Sequence, residues 1–285
     1  MVAQLKLVAE NMDKFDNGIY NNLNIDAYHN ADGISSTGIN LMLDCPARFY
    51  HEYYVNRAFE PTDKPFDKFE LGRAVHALIL EPDVFNATYY CMDEKVNLTT
   101  KAGKEIMAKA QAEAGNRKVL RAGEWEDIKA MAQSALMHPI WNKLKDGKVE
   151  QSIFWNPLVC VDVQAKSRPD IYNDEYIIDV KTTESIKQFS KSIYNFGYHR
   201  QAAMQMDALY SLDKKSRQFL LFVVEKRAPY LTACFALTED SIEQGREEYF
   251  QGVQEYADCM ADNDWYGYGS QVSMISIPEW AKSKK

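Results

Sequence analysis

The sequence predicts an α/β (α+β) fold in which helices flank a central mixed β-sheet, with further helices before the sheet. In residues 34–139, apolar side chains recur at the three- and four-residue spacing of amphipathic helices. Residues 149–181 then alternate between apolar and polar side chains, as strands do. Helices, two strands and a long helix follow, which supplies the layers that cover such a sheet.

The first predicted elements are helices. Residues 34–60 open with Ser and Thr residues suited to capping, and they predict a helix followed by an aromatic-rich turn. Residues 66–81 predict a second helix, which ends at a Glu-Pro pair. Gly72 and His76 are four residues apart, so they share one face of this second helix.

The middle and the end of the chain supply the sheet and its covering helices. Residues 100–139 predict two exposed amphipathic helices with a break at residues 114–116. The predicted strands comprise residues 149–155, 159–164, 167–172, 176–181, 218–225 and 230–237. The predicted later helices comprise residues 185–194, 198–212 and 239–261.

The composition favours one elaborated domain. The chain has 285 residues, 46% of them hydrophobic, which suffices for a full-sized core. Its five cysteines show no C-x-x-C pair or metal-ribbon spacing, so we expect neither disulfides nor a zinc or iron–sulfur site. The amino-terminal segment lacks a signal-peptide core and no run approaches ~18 apolar residues, so we expect a cytoplasmic protein without membrane contact. The net charge of −8 argues against a surface coated for nucleic acid, but not against a local groove.

An acid and a lysine interrupt the most apolar predicted strand. Asp179 and Lys181 are two residues apart within residues 176–181, so both side chains project from one face. Asp170 ends the preceding strand and would lie beside Asp179 if the two strands form a hairpin around Asn173. Converging carboxylates repel unless a proton or a divalent cation lies between them, and oxygen ligands suit Mg²⁺ or Mn²⁺. The pattern indicates phosphodiester hydrolysis, although the same spacing also occurs on exposed edge strands.

These residues resemble the PD-(D/E)xK nuclease signature, whose restriction-endonuclease-like core carries two acids and a lysine at a strand hairpin. Over residues 33–260 the chain is similar to exonuclease VIII (RecE-type) and RecB-type nucleases. The similar segments are a Ser/Cys-Pro/aromatic stretch at 34–54, a Gly-x-x-x-His helix at 71–82, DVKTT at 179–183 and Tyr-His-x-Gln within 198–207. The implied organisation is an amino-terminal extension at residues 1–32, an exonuclease domain at 33–265 with a helical elaboration at about 100–140, and a tail at 266–285.

The resemblance implies a role for each residue of the candidate site. The implied metal ligands are His76, Asp170, Asp179 and the backbone carbonyl of Val180. The implied catalytic residues are Asp170, Asp179, Lys181 and Gln201. Candidates for outer-sphere, second-metal or DNA contacts are Glu150, Arg168, Thr182, Tyr198 and His199. Structural alternatives stay open: a core position for His76, a surface position for Glu150 or Gln201, charge balance for Arg168, and helix packing for Tyr198 and His199.

The resemblance also implies an activity. It implies a Mg²⁺-dependent exonuclease, with Mn²⁺ as a substitute, that degrades linear double-stranded DNA from 5′ to 3′ and leaves 3′ single-stranded tails for recombination by strand annealing. The implied setting is bacterial or phage-encoded. The implied partners are double-stranded DNA ends, a RecT-like single-strand annealing protein and further copies of the chain in a ring, such as a tetramer.

The sequence departs from the family pattern in places, and other activities stay open. Gln205 stands where many relatives have a tyrosine on the helix that carries Gln201. The carboxy-terminal cysteines of iron–sulfur relatives are missing, and no GxxxxGK[ST] loop for ATP occurs. The alternatives are a single-strand-specific nuclease or an endonuclease on the same fold, or a non-catalytic module that binds DNA ends.

Overall fold

The computed structural model describes residues 12–55, 68–144, 146–269, 272 and 274–278. The helices are α1 (Ile25–Asn30), α2 (Ser36–Asp44), α3 (Pro46–Tyr50), α4 (Lys68–Leu80), α5 (Pro82–Thr88), α6 (Lys101–Ala114), α7 (Ala122–Leu136), α8 (Phe189–Asn195), α9 (Tyr198–Asp213) and α10 (Glu239–Asp262). The strands are β1 (Gly18–Tyr20), β2 (Tyr89–Cys91), β3 (Lys118–Leu120), β4 (Lys148–Val149), β5 (Ser152–Trp155), β6 (Ala165–Ser167), β7 (Ile171–Tyr172), β8 (Tyr176–Thr183), β9 (Gln218–Glu225) and β10 (Thr232–Ala236). A π-helical turn spans His51–Val55, and 3₁₀ turns span Pro139–Lys143 and Ile186–Gln188.

The central sheet has five strands in the order β10-β9-β8-β7-β4. β8 and β9 run parallel along their full length, while β10 with β9, β7 with β8 and β4 with β7 are antiparallel. The chain passes from β8 to β9 through α8 and α9, because a parallel connection needs a crossover over one face. The predicted mixed sheet flanked by helices is confirmed.

Alternate residues of β8 pack into two separate cores. Ile177 belongs to the core that contains Met204 of α9 and residues of α2 and α10. Ile178 faces the other way, into the core formed with Val75 of α4 and Met131 of α7. Strand periodicity therefore places one helical layer on each face of the sheet.

A second sheet joins the amino-terminal residues to the domain. Its three strands are antiparallel in the order β1-β5-β6, and Gly18 of β1 pairs with Phe154 of β5. Phe15 stacks on Phe154 with ring centroids 4.9 Å apart. Part of the segment predicted as an extension thus packs on the strand that follows Glu150.

Three of the predicted strands differ from the structure. The strand expected at 149–155 is interrupted at Glu150, whose φ of 51° separates β4 and β5 into different sheets. The strand expected at 167–172 is divided between the end of β6 and β7. The strand expected at 159–164 is wrong, because this segment forms turns in which Val161 is 66% exposed. Apolar alternation predicts a strand only where a neighbouring strand and a core cover it.

The helical elaboration has the break that the sequence predicts. Gly115 follows α6 with a φ of 62°, a left-handed value that glycine tolerates best. β2 and β3, which the sequence did not predict, pair in parallel beside these helices. Residues 56–67, which include the end of one predicted helix and the start of the next, lie outside the described residues. In the part of the chain that the structure describes, no helix is long and apolar enough to cross a bilayer.

Candidate active site

The hairpin of β7 and β8 brings two acids to one place. Ile171 pairs with Ile178, so the same register continued by one residue sets Asp170 opposite Asp179. The turn is held by Asn173, whose Oδ1 accepts hydrogen bonds from the backbone N–H groups of Glu175 and Tyr176, at 2.9 and 2.8 Å. An Asx-type turn of this kind fixes the register and therefore the pairing of the acids.

Helix α4 adds a histidine to the first of these acids. Nε2 of His76 lies 3.0 Å from Oδ2 of Asp170 and 3.4 Å from Oε1 of Glu150. One turn earlier, a Cβ built on Gly72 would lie 3.2 Å from Oγ1 of Thr182. The glycine therefore lets α4 approach β8 closely, and the histidine one turn later on the same helix face then reaches Asp170.

Glu150 is held in the site by its left-handed backbone and by a half-buried arginine. Its N–H donates to the carbonyl of Asp170 at 3.1 Å. Nε of Arg168 donates to Oε2 of Glu150 at 2.6 Å, and Nη1 donates to Oγ of Ser152 and to the carbonyl of Leu23 at 2.8 and 2.9 Å. With these bonds made, Arg168 holds Glu150 in place, which favours the charge-balancing interpretation over a phosphate contact.

Asp179 has its own set of contacts on the α9 side of the sheet. Its Oδ1 accepts a hydrogen bond of 2.6 Å from Nε2 of Gln201, and its Oδ2 lies 2.5 Å from Nζ of Lys181. Nζ also lies 4.9 Å from the centre of the Tyr198 ring. The structure thus fixes the lysine between a buried carboxylate and an aromatic face, a favourable position for a cation.

The charges of the three-residue cluster depend on one another. Burial disfavours a charged imidazole, but the carboxylates of Asp170 and Glu150 outweigh burial and raise the pKa of His76 to about 9. Burial would raise the pKa of Asp170, but His76 and Lys181 hold it below its ordinary value. Burial and the Asp170 charge raise the pKa of Glu150 to about 7. Of the two carboxyl groups in this cluster, Glu150 is therefore the one that ionises less readily.

The second acid, which is buried, and the half-buried lysine form an ion pair. Burial raises the pKa of Asp179 to about 6 in spite of the nearby ammonium. Burial would lower the pKa of Lys181, but Asp179 and Asp170 raise it above its ordinary value. Lys181 is therefore a fixed positive charge at neutral pH, suited to an anionic oxygen rather than to proton abstraction.

The donor atoms fit a divalent cation. Ligand atoms of His76, Glu150 and Asp170 all lie within 4.8 Å of one another, and they supply an imidazole nitrogen with carboxylate oxygens. Oδ2 of Asp179 is fully buried and, among the described residues, makes no hydrogen bond of good geometry despite its ion pair with Lys181. A cation would relieve the repulsion between the carboxylates, and oxygen-rich sets of this kind suit Mg²⁺ or Mn²⁺.

The group of possible metal ligands in the structure differs from the predicted set. Glu150, expected only as an outer-sphere or second-metal carboxylate, lies with His76 and Asp170, whereas Asp179 lies outside this group of three. The N–H of Val180 donates to Oδ2 of Asp170 at 2.6 Å, and the ligand role of its carbonyl stays a prediction. One weak sign of Glu150 was present in the sequence, an acid at the start of a predicted strand, but nothing there indicated its left-handed backbone.

The helix α9 residues fall into different surroundings. Gln201 is engaged with Asp179 and is not on a solvated face. His199 is 4% exposed, and its ring nitrogens lie 3.2 Å from the carbonyl of Ile193 and 3.0 Å from Oε2 of Glu248. These contacts favour the helix-packing alternative for His199 over a DNA contact, because the ring is packed between helices. Gln205 is 3% exposed, and its Oε1 has no hydrogen-bond partner among the described residues.

Comparisons with known proteins agree with the fold that carries this site. Among solved structures, a "Putative exonuclease" from Eubacterium rectale is similar with a TM-score of 0.57 at 12% identity, over 92% of this chain and 99% of that chain. SSO0001 matches at 14% identity over 63% of this chain and 85% of that chain, but its TM-score of 0.26 does not establish a common fold. No curated protein matches the sequence. The family model "PDDEXK-like domain of unknown function (DUF3799)" matches residues 35–276, which confirms the predicted PD-(D/E)xK resemblance, and the chain belongs to this family.

Proposed function

We propose that this protein is a Mg²⁺-dependent exodeoxyribonuclease of the exonuclease VIII type, which degrades linear double-stranded DNA from 5′ to 3′ and leaves 3′ single-stranded tails. Membership of a PDDEXK-like family supports a nuclease. The observation that carries the proposal is the cluster of His76, Glu150 and Asp170 next to the ion pair of the buried Asp179 with Lys181. Few structural needs explain so many charged side chains gathered around two buried acids, whereas a metal-dependent phosphodiesterase requires them.

The chain's own residues divide the work of hydrolysis. His76, Glu150 and Asp170 would hold a divalent cation, which acts as a Lewis acid on the phosphate. Lys181 places its ammonium where negative charge grows on a phosphate oxygen or where an attacking water must be oriented. Asp179 fixes that ammonium at 2.5 Å, and Gln201 fixes Asp179. Positioning of this kind lowers the barrier because the groups need no rearrangement when charge develops.

The partners follow from the same proposal. A net charge of −8 disfavours binding of DNA to an open surface, so we propose that copies of the chain enclose the duplex in a ring, such as a tetramer. The 3′ tails would pass to a RecT-like single-strand annealing protein. Mn²⁺ would replace Mg²⁺, because both take oxygen ligands in similar geometry.

The test is digestion of one linear duplex with labels at each 5′ end and inside, next to the same DNA as a closed circle. With Mg²⁺ we expect loss of the linear form only, release of 5′ label first as mononucleotides, and no cleavage in EDTA. Light scattering of the same sample reports the oligomer. Cleavage of the circle would instead support an endonuclease, and preference for unpaired strands a RecB-like activity.

Asp179→Asn serves as the site control because it keeps the shape of a fully buried side chain and removes its charge. We expect this variant to fold, to bind DNA ends and to lose cleavage by at least about 100-fold. An equally active and well-folded Asp179→Asn enzyme contradicts the assignment of the site. End binding by the wild-type protein without any metal-dependent cleavage would show a non-catalytic module.

A further inference from the structure

An exposed aromatic ring lies one contact away from the candidate active site. Phe196 is 57% exposed and precedes α9. Its ring centre lies 5.7 Å from that of Tyr198, whose ring in turn lies 4.9 Å from Nζ of Lys181. Two adjoining rings therefore link the half-buried ammonium of Lys181 to an exposed part of the surface.

The turn that carries this ring is held by hydrogen bonds on both sides. Nδ2 of Asn40 donates to the carbonyl of Phe196 at 3.1 Å, and the N–H of Phe196 donates to the carbonyl of Ser192 at 3.0 Å. Gly197 has a φ of 67°, and a Cβ there would lie 2.5 Å from both Oδ1 of Asn40 and Nη2 of Arg200. The backbone is thus fixed in a conformation that keeps an apolar ring in water, which costs free energy unless something covers the ring.

We infer that Phe196, backed by Tyr198, is a stacking platform for an unpaired nucleobase next to the phosphate that Lys181 contacts. This inference rests on the proposed nuclease function and names its substrate class, a DNA end with unpaired nucleotides. Every base has a π-face, so stacking on an aromatic ring works without sequence preference. The lysine at the inner end of the path supplies the matching charge for the phosphate that joins that base.

The platform selects unpaired rather than paired bases for a geometrical reason. Inside a duplex each base face is covered by its neighbours, and the last pair of a blunt end exposes only its outer face, whereas an unpaired base can turn either face towards a protein ring. Phe196 is therefore expected to favour overhanging or frayed ends over intact blunt ones. Single exposed apolar rings are common on protein surfaces, and a second copy of the chain is the competing occupant.

The test is binding in EDTA, where the proposed cleavage does not occur. The probes are fluorescent duplexes with short 5′ or 3′ overhangs, each with normal bases or with abasic sites in the overhang, and a blunt duplex. The variants are Phe196→Ala, Phe196→Trp and Tyr210→Ala. Tyr210 is the matched control because it is a 49% exposed aromatic residue on α9, near the end of that helix far from Phe196 and in contact with Lys214.

For one overhang polarity we expect wild-type protein to bind normal bases about tenfold more tightly than abasic sites, the size of one stacking contact. Phe196→Ala should lose this difference, Phe196→Trp should keep it, and Tyr210→Ala should match wild type. Equal binding of both probes by wild type, including no measurable binding of either, overturns the inference. A change of oligomer size in Phe196→Ala also overturns it, since the ring would then contact a second copy.

Cleavage is scored separately so that the two proposals fail in different ways. If the wild-type protein cleaves linear DNA with Mg²⁺ and Phe196→Ala has no effect on binding, only the stacking inference is contradicted. If binding depends on the overhanging bases and on Phe196 but no metal supports cleavage, only the proposed nuclease function is contradicted.

Discussion

Nε2 of Gln201 donates a hydrogen bond of 2.6 Å to Oδ1 of Asp179, which joins α9 to the central strand β8. The acceptor is 0% exposed, and its other oxygen faces Lys181 at 2.5 Å. The carboxylate is thus oriented by one neutral donor and one charged group. Removal of the neutral donor tests whether orientation, rather than charge alone, matters for the site.

Gln201→Ala should lower cleavage by about 10- to 100-fold and leave the KM for DNA ends nearly unchanged. It should also cost about 1–3 kcal/mol in the free energy of unfolding, because Oδ1 of Asp179 stays buried without its donor. Initial rates and urea unfolding measure the two effects. The control is Gln205→Met, which removes an oxygen that has no hydrogen-bond partner among the described residues and should leave cleavage intact. Equal activity of Gln201→Ala and wild type would contradict a positioning role.

Glu150→Gln should weaken the binding of Mg²⁺ or Mn²⁺ without weakening the metal-free fold. Since the pKa of Glu150 is raised to about 7, its charge opposes folding as pH rises through that value, so the neutral amide should be at least as stable at pH 8. The measurement is Tm against metal concentration. Wild-type Tm should rise with metal, and the midpoint for Glu150→Gln should shift to at least about tenfold higher concentration.

Glu126→Gln is the matched control for this titration. Glu126 is an exposed acid paired with Lys95 at 2.9 Å, away from the candidate cluster. Its neutralisation should leave the metal dependence of Tm unchanged. Identical metal midpoints for Glu150→Gln and Glu126→Gln would remove Glu150 from the ligand set.

Gly72→Ala should disturb the site although alanine favours helices. An added Cβ would lie 3.2 Å from Oγ1 of Thr182, so the Thr182 side chain or α4 must move by a few tenths of an ångström, and a shift of α4 carries His76 with it. Gly123→Ala on α7 is the control, because no atom lies within 4 Å of its added Cβ, and it should raise the free energy of unfolding by about 0.5–1 kcal/mol. Gly72→Ala should gain less free energy of unfolding than Gly123→Ala, and it should cleave DNA more slowly than wild type. Adding Thr182→Ala should restore part of the rate, and no such recovery would exclude the contact as the cause.

A buried carboxylate on α4 should make stability depend on acid pH. Glu70 is 3% exposed, and its oxygens accept hydrogen bonds from Tyr89 at 2.6 Å and from Arg73 and Lys118 at 2.7 Å. Burial opposes ionisation, but these three donors outweigh it and lower the pKa of Glu70 to about 2. A lowered pKa stabilises the fold above the unfolded value of about 4.5, and this contribution is lost as pH falls towards 2.

Glu70→Gln should therefore cost roughly 2 kcal/mol at pH 7, a figure reduced for the solvent exposure of Arg73 and Lys118. The difference from wild type should shrink as pH falls from 5 to 2.5. Urea midpoints at several pH values measure it. A difference that stays constant across this range would show that the ion pairs contribute nothing.

Local sequence determined the parts of the site that lie on one element. Asp179 and Lys181 share a face because strand side chains alternate, and Asn173 marks the turn that sets Asp170 opposite Asp179. Gly72 and His76 share a face because helix side chains repeat every three to four residues. The helices and the mixed sheet followed from the same two periods, which depend only on backbone geometry.

Tertiary structure alone decided which distant groups meet. Glu150 enters the cluster because its left-handed backbone ends one strand and because Arg168 binds it, and neither feature has a periodic signal. His199 and Gln201 are two residues apart on α9 and lie on different sides of it. His199 contacts Glu248, whereas Gln201 contacts Asp179. Such outcomes depend on how elements pack across the sheet, and contacts between residues far apart in the chain leave no local pattern to read.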